Sequence, residues 1–108
     1  MIATFQRGET FVTTITPRLP GETLRAAMKL ASAGFAIPPA NAPEAAVMTV
    51  EDIVIDGEPA WQLTLSSAVS ETLIPGSYVA DARIVLGNGQ VQITDPIRIN
   101  VEERVTGP

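Results

Sequence analysis

The chain has 108 residues, 45% of them apolar and only 18% charged, which suits one folded domain and excludes a disordered segment. It contains no cysteine and no histidine, which removes disulfides, thiol nucleophiles, Ser-His triads and the usual zinc sites. Twelve Asp+Glu against seven Lys+Arg give a net charge of −5, with the arginines scattered and Lys29 the sole lysine, so no basic surface is expected for nucleic acid or an anionic membrane.

The N-terminal residues 1–7 lack a charged start followed by an apolar run, and no stretch approaches the roughly 18–20 apolar residues of a membrane span. Neither a signal peptide nor a membrane segment is expected. Ile2 to Phe5 reads as a short strand and residues 6–9 as a turn. Thr10 to Thr16 alternates, with Phe11, Thr13 and Ile15 on one face; Pro17 ends it, and Pro20-Gly21 makes the next turn. Leu24 to Leu30 also alternates, with Leu24, Ala26, Met28 and Leu30 on one side. Its Leu, Ala, Met and Lys favour helix too, so strand and helix both remain open, with strand preferred.

Residues 31–46 hold three prolines, a glycine and many alanines, which no regular strand or helix accommodates throughout. This is the one long loop. Phe35 and Ile37 are too apolar for a solvated linker. Either they fold back over the open end of the core or, with Pro38 and Pro39, they dock on a partner chain.

Val47 to Ile55 reads as a single strand, and Asp56-Gly57 as a hairpin turn. Trp61, Leu63 and Leu65 share one face of the following strand. Residues 67–73 suggest a turn or one helical turn, and Pro75-Gly76 another turn. Tyr78 to Leu86 alternates, and Gly87-Asn88-Gly89 returns the chain. The return strand carries Val91 and Ile93, breaks at Asp95-Pro96 and resumes with Ile97, Ile99 and Val101. Pro96, having no N–H, marks a bulge or a switch between sheets.

The pattern predicts an all-β fold, a single sandwich of about seven or eight antiparallel strands spanning residues 1–108. Trp61, Leu63, Leu65, Tyr78, Ile84, Leu86, Ile93 and Ile99 are its expected core. The carboxylates of Glu51, Asp52, Asp56 and Glu58 fit no calcium-loop spacing and read as a solvated hairpin edge. No phosphate loop or dinucleotide fingerprint is present. No catalytic residue, metal or cofactor is expected.

The second half carries Trp61 to Ser66, then the run 71–91 with Pro75-Gly76-Ser77-Tyr78 ahead of an alternating strand and Asn88-Gly89, and closes with 94–101. With Arg7-Gly8-Glu9-Thr10 at the front, this resembles small structural proteins of tailed phages and prophages. The nearest pattern is the immunoglobulin-like N-terminal module of siphophage baseplate upper proteins, over about residues 7–106. The loop at 31–46 departs from it. The resemblance implies a non-enzymatic virion part in the head–tail connector, tail or baseplate, assembled in the host cytoplasm. Its partners would be other virion proteins in a symmetric assembly, with no nucleic acid, membrane or small-molecule substrate. The candidate interface is Phe35, Ile37, Pro38 and Pro39 together with Arg104 and Val105 near the C-terminal end. The alternative is a small sandwich module that binds carbohydrate or peptide.

Overall fold

The computed structural model describes residues 2–19, 21–31 and 37–106. Among the described residues, nine strands and one helical turn follow one another: β1 (Ile2–Gln6), β2 (Phe11–Ile15), β3 (Thr23–Leu30), β4 (Ala46–Val47), β5 (Thr49–Ile55), β6 (Glu58–Leu65), α1 (Ser67–Ser70), β7 (Gly76–Val85), β8 (Val91–Ile93) and β9 (Ile97–Glu102).

Two sheets form. One is ordered β2-β6-β5 and is antiparallel throughout. The other is ordered β1-β9-β7-β3-β4, with β8 also paired to β7. With β2 taken as B, β3 as C, β5 and β6 as D and E, β7 as F and β9 as G, the sheets are B-E-D and G-F-C, and β4 is an added C′ strand. That is the immunoglobulin-type sandwich. β1 departs from the antiparallel rule. It lies parallel to β9, with Ile2 beside Arg98 and Gln6 beside Glu102.

The segment that could have been helix is strand. β3 pairs with β7 over eight residues, from Thr23 opposite Val85 to Leu30 opposite Tyr78. This ladder and the burial of Ala26 and Met28 outweigh the modest helical preference of the same residues. Leu30, at the strand's end, is exposed rather than inward.

The run 47–55, expected as one strand, is two. β4 pairs with β3, and β5 pairs with β6, so the chain changes sheets at Met48. Met48 is buried, and its N–H donates to Ala26 O at 2.9 Å. This division and the split return strand raise the expected seven or eight strands to nine. The Asp56-Gly57 hairpin is as read: both residues have positive φ, 51° and 82°, as a type I′ turn requires.

The return strand stays on one edge. β8 and β9 both line the side of β7 away from β3, so Pro96 interrupts a strand rather than moving it between sheets. Thr94 manages the break: its N–H donates to Ala82 O, and its Oγ1 accepts from Ala82 N–H.

The core lies between the sheets. Trp61, Leu63 and Leu65 of β6 meet Met28, Tyr78, Ile99 and Val101 of the other layer, with Phe5 stacked on Phe11 at a centroid distance of 5.1 Å. Tyr78 is buried, and its hydroxyl donates to Ile74 O at 2.6 Å. A tyrosine at this corner, bonded to backbone a few residues upstream, is a hallmark of the immunoglobulin fold. Ile84 and Leu86 are half-buried. Ile93 is not in the core; it is 57% exposed. It pairs with Arg83, whose side chain points away from the other sheet, so Ile93 shares that outer face.

Candidate functional site

Residues 37–44 form a strap over the outer face of the larger sheet. Pro38 and Pro39 have no N–H to give a ladder, and their segment is held by side chains instead. Lys29 on β3 donates through Nζ to Ala40 O at 2.7 Å and to Pro39 O at 3.3 Å. Arg25, also on the outer side of β3, makes a two-pronged pair with Glu44 at 2.7 and 2.6 Å. The hydrogen bonds from Arg25 hold the Glu44 carboxyl below its ordinary range, against a smaller opposing effect of burial. Ala45 N–H then donates to Met28 O and leads the chain into β4.

Strap and sheet enclose an open groove of about 490 Å³, bordered by Ile37, Pro38, Val79, Arg83, Ile93 and Pro96 among others. Ile37 is 69% exposed on its rim. Pro38 is half-buried and Pro39 exposed. Ile37 is therefore no plug for the core, while Phe35 lies outside the described residues.

The C-terminal candidates divide. Val105 is fully exposed. Arg104 is committed to its own chain. Its guanidinium forms a bidentate pair with Glu71, through Nη1 to Oε2 and through Nη2 to Oε1 at 2.9 Å, and Nη1 also donates to Arg7 O at 2.8 Å. Arg7 donates in turn to Glu71 O at 3.0 Å and pairs with Glu103. Gly8 N–H donates to the buried Ser70 Oγ at 2.7 Å, which fastens the β1–β2 turn to α1. Arg104 thus positions the segment from which Val105 projects.

Arg104's hydrogen bonds depress the Glu71 carboxyl, burial works against them, and the charges of Arg104 and Arg7 add to the depression. A carboxyl lowered in the folded state adds stability above its unfolded value, about 4.3, and loses it as pH falls through the folded value. Thermal melts should therefore separate parent and Glu71→Gln more at pH 7 than at pH 3. Equal separation at both pH values would mean that the pair contributes nothing.

The carboxylates Glu51, Asp52, Asp56 and Glu58 are exposed along the β5–β6 hairpin. Asp52 sits 3.6 Å from Arg18 Nε. Among the described residues no group of three or more acidic side chains could hold a metal ion, and no helix is long and apolar enough to cross a membrane. No family model matches the chain, and no curated protein is detectably similar to it.

β3 and β9 run out at the same end of the sandwich. Ala31 N–H donates to Ser77 O where β3 runs out, and β9 ends with Val101 opposite Gly76. Val91 and Ile93, the latter expected in the core, expose apolar surface on the outer face at the opposite end of β7.

Proposed function

We propose that the chain is a non-enzymatic structural subunit of a tailed-phage or prophage particle, in its connector, tail or baseplate. It is held there by contacts with other virion proteins. The observation that carries this reading is the anchored apolar strap: Ile37 and Pro39 stand in solvent, yet Lys29 and Arg25 tie their segment to the sheet. Such pre-ordering lowers the entropy lost on docking. Val105 offers a second apolar contact beside the fixed Arg104–Glu71 corner. The particle would form in the cytoplasm of the bacterial host.

A second reading, a carbohydrate- or peptide-binding module, draws on the groove, whose size falls within the range of small-ligand sites. Against it, Arg25 and Lys29 are already engaged by the strap, and every described aromatic ring is buried or half-buried.

The double variant Ile37→Ser, Val105→Ser tests the proposal. Both side chains are exposed, so the isolated domain should keep its stability within about 0.5 kcal/mol, while incorporation into particles is lost. Normal incorporation of the variant would refute the strap-and-tail interface.

A further inference from the structure

We propose that β8 is a self-pairing edge, through which two copies of this chain join about a two-fold axis at Gln92. In the β7–β8 ladder, Leu86 N–H donates to Gln90 O and Thr94 N–H to Ala82 O. Backbone groups of successive strand residues point to opposite edges, so those of Gln92, like those of 90 and 94, face β7. The N–H and C=O of Val91 and Ile93 then face outward. Among the described residues, nothing pairs with that edge: β1 covers β9 only from Arg98 to Glu102.

Two other edges are blunted: β4 is two residues long, and β5 carries Glu51 and Asp52. β8 is also short, at three residues, but it carries no charge. The chain is uncharged from Ile84 to Thr94, although its net charge is −5. Two copies can meet here without opposing like charges.

The occupant follows from the symmetry of the edge. In an antiparallel pairing centred on Gln92, Val91 of each copy lies opposite Ile93 of the other, and both residues exchange two hydrogen bonds with their opposites. Asp95 falls opposite Gly89 of the second copy rather than opposite a carboxylate. Val91 and Ile93 are 47% and 57% exposed on the outer face. In the pair they form one apolar strip, continuous with Ile37 across the groove. The dimer is independent of the virion proposal and uses none of its candidate residues except Ile37 at the margin.

A three-residue edge makes a small contact, so a weak dimer is expected. Sedimentation of the full chain from about 10 µM to about 1 mM spans the relevant affinities. The mass should climb from 11.4 kDa toward twice that value. Over the same range the amides of Val91 and Ile93 should gain protection from hydrogen exchange, while that of Gln92 stays constant. Val91→Pro removes an outward N–H that the chain's own ladder does not use, and should weaken the dimer by about tenfold or more. A constant mass of 11.4 kDa overturns the proposal. So does a dimer in which the Val91 and Ile93 amides stay unprotected, or one that Val91→Pro forms equally well. If Val91→Pro fails to fold, the exchange measurement on the parent decides.

Discussion

Replacing Trp61 by alanine is expected to cost about 3–5 kcal/mol. The ring is 2% exposed on β6, the central strand of the three-stranded sheet, with Ile15 of β2 on one side and Asp52 of β5 on the other. Neighbouring strands cannot close on the void, because each is fixed in register by its own ladder. Against a typical total of about 5–15 kcal/mol, the variant would stand near the edge of unfolding. Trp61 is the only tryptophan, so urea denaturation should be followed by far-ultraviolet circular dichroism. Val54→Ala, on a side chain 70% exposed on β5, is the control and should stay within about 0.5 kcal/mol of the parent. A Trp61→Ala loss below about 1 kcal/mol would place the ring outside the core.

Gly8→Ala should be the most damaging change to a turn, at about 2–3 kcal/mol. Two effects combine. Gly8 has φ +92°, where a side chain is strained. A Cβ there would also stand 2.5 Å from Arg104 Nη1 and 2.6 Å from Glu71 Oε2, so the ion pair must move. Gly57→Ala separates the two effects: its φ is similar, +82°, but nothing lies within 4 Å of the new atom. Denaturation midpoints should therefore fall further for Gly8→Ala than for Gly57→Ala. Equal falls would show that the corner yields freely to the added carbon.

Most of the strands were legible because a half-buried strand repeats every two residues. Trp61, Leu63 and Leu65 announce their face without help from the rest of the chain. The change of sheet at Met48 was not legible. The single residue between β4 and β5 leaves no gap in the pattern, so residues 47–55 read as one strand while their partners change from β3 to β6. Ile93 was misplaced through a parity that the sequence does contain. A three-residue loop at 87–89 sets Ile84 opposite Gln92 and Arg83 opposite Ile93. Once Ile84 is turned inward, Ile93 must turn out. The corner of Arg7, Glu71 and Arg104 was hidden for another reason. Its members lie 33 to 97 residues apart in the hydrogen bonds that join them, and no local spacing signals such a meeting. Of the candidate interface, the apolar character of Ile37 was legible, but its anchoring by Lys29 and Arg25 follows only from the fold.

The parallel pairing of β1 with β9 also fixes how the domain bears tension. The ladder runs in step from Ile2 beside Arg98 to Gln6 beside Glu102. A pull that separates Ile2 from Glu102 drags the two strands past each other along their length. The bonds between them are then strained together, and none can fail first without its neighbours taking up the load. The β5–β6 hairpin, pulled apart at Thr49 and Leu65, would instead open one rung at a time. Force applied between Ile2 and Glu102 thus loads the β1–β9 ladder in shear, across all its rungs at once.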